Sequence, residues 1–333
     1  MAANKSISMA VIGVGHFGKH HAEKIIRLPR VELVAVADIN AERATEIGNL
    51  FDVDAVTDYR ELLGRVDAVS VAVPTSEHYR IAKAFLERRT DVLVEKPMTG
   101  TLDTARDLID IARRNDRILQ VGHLERFSGM IEMLRKHVRQ PLYIDCQRIA
   151  PFKRRGTDIN VILDLMIHDL DFVLCLVESP IWSADAAGAP VFSEMEDIAN
   201  ARIKFANGCI ANIVASRISF KTERRMRIFE PDQYVSVDFD RGIIKSMRKS
   251  TAGNPSNFPP VLVEEVKYRE GDPLEQEIEA FVHSVAYRQK PAVSGEEGAR
   301  ALEAAILLNE SMRSHAAFVD EMGLGRVAAK ENR

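Results

Sequence analysis

The sequence predicts an α/β protein with two domains, a parallel sheet first and then an α/β domain built on a large, mostly antiparallel, open-faced sheet. Length supports two domains, because 333 residues exceed what one hydrophobic core usually serves. Short apolar strands alternate with helices along roughly the first 120 residues, which is typical of a parallel sheet with right-handed crossovers. After Gly122 strands follow one another with few helices between them. We therefore predict domains at residues 1–122 and 123–333.

Composition narrows the class of protein and its partners. A formal net charge of −4 argues against nucleic acid or an anionic membrane as the main partner. The three cysteines show no paired spacing, which favours a reducing compartment and gives no metal-site pattern. No apolar stretch approaches the ~20 residues of a membrane span, and the N-terminal run is too short for a signal peptide. We expect a cytoplasmic protein without a membrane span.

The first predicted strand, Ser8 to Val14, runs into the motif Gly13-Val14-Gly15-His16-Phe17-Gly18. A helix is predicted directly after it. In this context Gly13 permits a tight turn, Gly15 lets the backbone approach a pyrophosphate, and Gly18 lets the helix pack closely on the strand. The motif therefore predicts a Rossmann dinucleotide site, with His16 and Phe17 as further candidate cofactor contacts.

The second predicted strand, Val31 to Ala37, ends in Asp38, about twenty residues after the last glycine of the motif. A carboxylate at this position accepts hydrogen bonds from the ribose hydroxyls and repels a 2′-phosphate. The cofactor predicted is therefore NAD rather than NADP. The alternative is that Asp38 only caps the helix that begins near Ala41.

Two further strand ends carry candidate residues. The apolar strand from Asp91 ends in Glu95-Lys96-Pro97, which places Lys96 and Glu95 at the crevice where parallel sheets bind ligands. Lys96 could equally be an ordinary solvated charge. Another strand ends before a second group of candidate contacts to the nicotinamide half of the cofactor, although turn formation explains them equally well: Pro74, Thr75 and His78.

In the second domain, an apolar helix is predicted from Val161 to Val177 with polar residues on one face. Asp164 and His168 are four apart and therefore adjacent on that face, and Asp171 lies one turn further. An aspartate beside a histidine fixes its tautomer and stabilises its protonated form, as acid–base catalysis requires. The alternative is a structural Asp–His pair in the core or on the surface.

Later segments predict the antiparallel sheet. Asn207-Gly208 lies between two strand-like runs and is a strong hairpin signal, because such turns require positive φ. One face and the edges of this sheet need cover, and self-association supplies it. We expect a homodimer or homotetramer formed through this C-terminal sheet.

Four motifs occur in an order that resembles the Gfo/Idh/MocA oxidoreductases: the glycine motif with His21 following, Glu95-Lys96-Pro97, Gly122-His123-Leu124-Glu125-Arg126-Phe127, and Asp164-Leu165-Met166-Ile167-His168. The resemblance covers nearly the whole chain. It implies an NAD-dependent dehydrogenase in which Lys96, Asp164 and His168 are catalytic and contact the substrate. Two departures are Glu125, where many members carry Asn or Arg, and Thr157 to Val161, where many are glycine-rich.

The implied reaction is hydride transfer from a sugar-like secondary alcohol. His168, oriented by Asp164, is the candidate base, and Lys96 stabilises the developing alkoxide. Nothing has metal-ligand spacing, so no metal is expected.

The substrate is less defined. The segments Arg148 to Gly156 and Arg227 to Asp232 are similar to those of bacterial members that oxidise the 3-hydroxyl of UDP-N-acetylglucosamine on the way to an amino-sugar lipid A. A nucleotide sugar needs cations for its pyrophosphate, which the cluster Lys153-Arg154-Arg155 could supply, with Arg126 as another substrate contact. These charges, and those of Lys221, Arg224, Arg225 and Arg227, could instead simply be solvated. The alternatives are a dehydrogenase of a free sugar, inositol or polyol, and a non-catalytic NAD- or sugar-sensing protein.

Overall fold

The computed structural model describes residues 6–153, 159–250, 261–268 and 271–322. It contains two sheets, one of six strands and one of eight, each with helices beside it. The predicted α/β class is therefore confirmed. Within the described residues, no helix is both long enough and apolar enough to cross a membrane.

The first sheet is parallel throughout. Its strands are Ile7–Ile12 (β1), Val31–Ala37 (β2), Asp54–Val56 (β3), Ala68–Val71 (β4), Asp91–Glu95 (β5) and Leu119–Gly122 (β6). Its crossover helices are His16–Ile25 (α1), Ala41–Phe51 (α2), Thr75–Glu87 (α3) and Leu102–Arg114 (α4), with 3₁₀ turns at Tyr59–Leu62 and Leu124–Phe127. The strand order β3-β2-β1-β4-β5-β6 reverses at β1, so ligands are expected at the carboxyl ends of β1 and β4.

The second sheet is mostly antiparallel. Its strands are Tyr143–Ile149 (β7), Ile181–Ala189 (β8), Ile198–Phe205 (β9), Ile210–Ser216 (β10), Glu223–Phe229 (β11), Gln233–Asp238 (β12), Ile243–Lys249 (β13) and Val261–Lys267 (β14). The order is β14-β13-β12-β11-β7-β10-β9-β8, and only the β7–β10 pair among these described strands is parallel. The remaining helices are Gly129–His137 (α5), Ile167–Val177 (α6), Pro273–Tyr287 (α7) and Gly295–Glu321 (α8).

The predicted hairpin joins β9 to β10. Gly208 has φ +90°, and the amide of Phe205 donates to the carbonyl of Cys209 at 2.9 Å. Along β9 buried and exposed residues alternate, and the buried ones face the hydrophobic core of this unit. The hairpin prediction is therefore confirmed.

The division of the chain differs from the predicted boundary at residue 122. One compact unit contains the described residues up to Ser128 and Gly271–Leu302, and the other begins at Gly129 and resumes at Glu303. Helix α7 returns to the first unit, where Ile278 and Phe281 join the core that includes Met9. Sequence periodicity shows that a helix has an apolar face but not which sheet that face covers, so the predicted boundary was wrong for α7.

Candidate active site

The glycine loop connects β1 to α1 with the geometry that a close approach requires. Gly13 has φ +83°, which side-chain-bearing residues rarely adopt. A Cβ on Gly18 would lie 1.8 Å from the carbonyl oxygen of Gly13, whereas a Cβ on Gly15 would meet no atom within 4 Å. Two glycines are thus required by packing, and Gly15 opens to space. His16 and Phe17 are exposed beside the loop.

Asp38 connects the end of β2 to this loop. One carboxylate oxygen accepts from the amide of Val14 and the other from the amide of Asn40, both at 2.9 Å. The side chain of Asn40 accepts from the amide of Arg43, so Asn40 caps α2. The alternative role of Asp38 as the helix cap is therefore filled by its neighbour.

A cavity of about 530 Å³ lies at these carboxyl ends, lined by Gly13, Gly15, Asp38, Tyr59 and Pro74 among others. Two arginines also line it, and each is paired with a carboxylate on its own element. Arg60 pairs with Asp58 at 3.1 Å, and Arg80 pairs with Glu77. A 2′-phosphate would have to compete with these carboxylates, so the cavity fits NAD better than NADP.

The predicted contacts after β4 have different environments. Pro74 lines the cavity, and Thr75 begins α3. His78 is buried, and its two ring nitrogens lie 2.9 Å from the carbonyl of Pro97 and 2.8 Å from that of Val73. Burial lowers the pKa of His78. The ring of His78 thus joins the segments after β4 and β5, and its role as a cofactor contact stays a prediction.

At the end of β5, Glu95 and Lys96 are half-buried. One carboxylate oxygen of Glu95 lies 3.1 Å from Nε2 of His21, and Nδ1 of His21 lies 2.7 Å from the hydroxyl of Ser70. A neutral His21 satisfies both bonds by accepting from Ser70 and donating to Glu95. The side chain of Glu95 is thus fixed by α1 and β4, next to Lys96.

Arg126 is almost fully buried and donates to Glu297 at 2.6 Å. The same carboxylate accepts from the amide of Ser294. This pairing gives Arg126 a structural partner within the first unit, and its role as a substrate contact stays a prediction.

In the second unit, α6 is preceded by a π-helical turn over Ile162–Met166. Asp164 lies within this turn and His168 in the first turn of α6, and both are half-buried. π-Helical turns are rare and frequent at functional sites. Asp171, in contrast, is buried. The predicted helix is therefore present, but its polar residues start in an irregular turn that periodicity did not indicate.

A buried network supports this turn, and no sequence pattern predicted it. Arg217 donates to Asp197 at 2.8 Å and to the carbonyl of Ile159 at 2.8 Å, and its guanidinium lies 3.9 Å from the carboxylate of Asp164. Asp197 also accepts from three consecutive amides, Val191 to Ser193. Burial alone would raise the pKa of Asp197, but the hydrogen bonds from Ser193 and Arg217 outweigh it and hold that pKa far below its usual range.

A second buried pair lies beside His168. Arg148 of β7 donates to both carboxylate oxygens of Asp169, at 2.7 and 3.1 Å. The spacing of Asp and His on the helix could not indicate this pair, because Arg148 lies on a separate strand.

The predicted basic residues divide into two groups. Lys153 is exposed, and Arg154 and Arg155 lie outside the described residues. The later group is paired with its own sheet and turns: Lys221 with Glu223, Arg224 with Asp240, Arg225 with Gln147 and Arg227 with Asp145. Among the described residues no cluster of three or more His, Cys, Asp or Glu could hold a metal.

Two family models match the chain. Residues 7–123 match the oxidoreductase family with an NAD-binding Rossmann fold, and residues 126–244 match the GFO/IDH/MocA C-terminal domain. A UDP-N-acetylglucosamine 3-dehydrogenase from Acidithiobacillus ferrooxidans is 38% identical over 297 residues, which cover 89% of this chain and 94% of that protein.

Two further similarities bear on the fold and the reaction class. A solved structure of the Acidithiobacillus ferrooxidans enzyme has a TM-score of 0.86 and 35% identity, covering 93% of this chain and 99% of its own. The myo-inositol 2-dehydrogenase of Thermotoga maritima is 26% identical over 313 residues, or 88% of this chain and 92% of that protein.

Proposed function

The chain belongs to the Gfo/Idh/MocA oxidoreductase family, as its motifs predict, and from that premise we propose that it oxidises the 3-hydroxyl of UDP-N-acetylglucosamine. It is an NAD-dependent dehydrogenase, so a purely sensory role is set aside. The observation that carries the substrate is the 38% identity to a UDP-N-acetylglucosamine 3-dehydrogenase across 94% of that protein. We propose further that the 3-keto product is then aminated on the way to an amino-sugar lipid A.

The glycine loop and the cavity of the first unit have a geometry that suits NAD. The open approach at Gly15 admits a pyrophosphate to the N-terminus of α1, and the carboxylate of Asp38 lines the cavity where a ribose would lie. His16, Phe17, Pro74 and Thr75 are proposed to border the cofactor. When bound, NAD accepts the hydride.

We assign the proton chemistry to His168, Asp164 and Lys96. His168 takes the proton of the reacting hydroxyl, and Asp164 orients its ring and stabilises its charged form. Lys96 donates a hydrogen bond to the same oxygen and stabilises the negative charge that develops there. The guanidinium of Arg217 lies 3.9 Å from the carboxylate of Asp164 and attracts it.

The pyrophosphate of the substrate is proposed to bind Lys153, Arg154 and Arg155. The support for this assignment is chemical: Lys153 is exposed, whereas Arg224, Arg225 and Arg227 already have polar partners. Guanidinium and ammonium groups are the usual partners of phosphate in proteins.

The test is a substrate screen that follows NADH absorbance with the purified protein. UDP-N-acetylglucosamine, other UDP-sugars, free N-acetylglucosamine and inositols are compared at equal concentration. Turnover is expected with UDP-N-acetylglucosamine and much less with free sugars. The inositol dehydrogenase relative makes a free polyol the second candidate, and exclusive turnover of inositols would replace the first proposal by it. NAD is expected to support turnover better than NADP.

We also propose a cytoplasmic homodimer or homotetramer. The three cysteines, all within the described residues, form no disulfide bond, as is usual in a reducing compartment. The open face of the second sheet carries an aromatic group in which the ring of Phe229 lies 5.7 Å from Tyr143 and 5.0 Å from Tyr234. Such a patch favours an interface, which sedimentation of the purified protein would reveal.

A further inference from the structure

Helix α7 brings into the first unit a glutamate that the proposed mechanism does not use. Glu277 is fully buried, and neither of its carboxylate oxygens has a hydrogen-bond partner among the described residues. Its backbone carbonyl accepts from the side chain of Gln120, so the helix itself is held in place. A buried carboxylate without donors is unfavourable when ionised, and most such groups bind a proton instead.

The acidic group whose charge acts on Glu277 is Glu95, the residue before Lys96. Both carboxylates converge on Gly122 at the end of β6: a Cβ built there would lie 3.1 Å from an oxygen of Glu95 and 3.2 Å from an oxygen of Glu277. Because Gly122 has no side chain, it leaves the space between the two carboxyl groups open. The two groups come from residues 95 and 277, which are far apart in the chain.

The surroundings of the two carboxyl groups are unequal. Glu95 has His21 at 3.1 Å and the amide of Lys96 at 3.3 Å. Burial would raise the pKa of Glu95, but the hydrogen bond with His21 and the positive charge of Lys96 outweigh it and lower that pKa. Burial and the negative charge of Glu95 together raise the pKa of Glu277 well above its ordinary value.

We propose that Glu95 and Glu277 form a carboxylate–carboxyl pair that holds one proton, and that Glu277, as the neutral member, positions the strand end that carries Lys96. The protonated Glu277 donates towards Glu95, which remains anionic beside Lys96. One negative charge, held from two sides by His21 and Glu277, fixes the backbone at Lys96. The positioning role rests on the proposed function, whereas the shared proton does not.

The shared proton is tested by infrared spectroscopy of the intact protein at neutral pH. A protonated buried carboxyl group gives a carbonyl band separate from those of carboxylates, and the band shifts in D₂O. We expect this band in the wild type and its loss in Glu277→Gln. Glu279→Gln is the matched control, because Glu279 is an exposed glutamate on the same helix, and it should keep the band. A spectrum without such a band in the wild type would overturn the pair.

The positioning role is tested by comparing Glu277→Gln with Glu277→Leu, since glutamine can donate a hydrogen bond to Glu95 and leucine cannot. We expect kcat to be about tenfold lower in the leucine variant than in the glutamine variant, as for loss of a hydrogen bond to a charged group. Equal kcat values in the two variants would reject the positioning role. If no sugar is oxidised by the wild type, the proposed function fails, and the infrared result still decides the shared proton.

Discussion

In the first unit, the candidate polar groups lie where strands end: Asp38 follows β2, and Lys96 follows β5. Around the π-helical turn of the second unit, they come from separate segments and bind one another in the interior, as Arg217 binds Asp197. Of the first kind, Asp38 lines the cavity at these strand ends. Charges of the second kind are occupied by the protein, so they contribute to structure and to the orientation of Asp164. The comparison therefore separates residues whose loss should stop chemistry from those whose loss should reduce stability.

The largest effect is expected at the residues proposed to touch the reacting oxygen. Lys96→Met and His168→Ala should each lower kcat/KM by about 10²–10⁴-fold, because a proton acceptor or a charge-stabilising donor is lost. Steady-state kinetics with NADH absorbance measures this. His315→Ala, at an exposed histidine of α8, is the control for His168 and should retain activity. Unchanged turnover in either active-site variant would reject the assigned roles.

A substitution in the buried network of the second unit should lower the stability of the protein. Arg217→Met leaves Asp197 buried without its cationic partner, so we expect the free energy of unfolding to fall by about 3–5 kcal/mol. Urea denaturation gives the value. Arg27→Met removes an exposed pair with Glu23 on α1 and should change stability by less than about 1 kcal/mol. Similar losses in both variants would show that the buried network is no more stabilising than a surface pair.

Substitutions at Gly18 and Gly15 of the glycine loop should separate an effect on packing from an effect on ligand binding. Gly18→Ala places a Cβ 1.8 Å from the Gly13 carbonyl oxygen and should destabilise the protein by about 1–3 kcal/mol. Gly15→Ala meets no atom, so its melting temperature should stay near that of the wild type while its affinity for NAD falls. Thermal melts and calorimetric NAD titrations distinguish the two. An unchanged NAD affinity in Gly15→Ala would contradict the placement of the pyrophosphate.

The raised pKa of Glu277 should be detectable in the pH dependence of the free energy of unfolding. Because its pKa is raised on folding, the folded state keeps a proton that the unfolded state releases above about pH 4.3. As pH rises from about 4.3 towards the raised pKa of Glu277, this group therefore lowers the free energy of unfolding by about 1.4 kcal/mol per pH unit. Urea titrations at several pH values should show Glu277→Gln gaining stability on the wild type as pH rises. A constant difference between Glu277→Gln and the wild type across these pH values would contradict the raised pKa.

Much of the first unit could be predicted because its signals are local. The strand Val31 to Ala37 occurs with the predicted bounds, and Gly13 adopts the positive φ that its motif requires. His78 shows the limit of such reasoning. Its position after a strand predicts a ligand contact, which stays a prediction, whereas only the fold shows that its ring nitrogens lie beside the carbonyls of Val73 and, later in the chain, Pro97.

The sequence by itself determined the order of strands and helices, the glycine loop, the acidic residue after β2 and the family of the chain. Each of these depends on neighbouring residues and on backbone preferences that act over a few positions. Only the tertiary structure decided that α7 returns to the first unit, that Glu277 meets Glu95 at Gly122, and that Arg217 supports the turn of Asp164. A buried charge can be satisfied by any of many distant partners of suitable chemistry, and packing alone selects which one it meets.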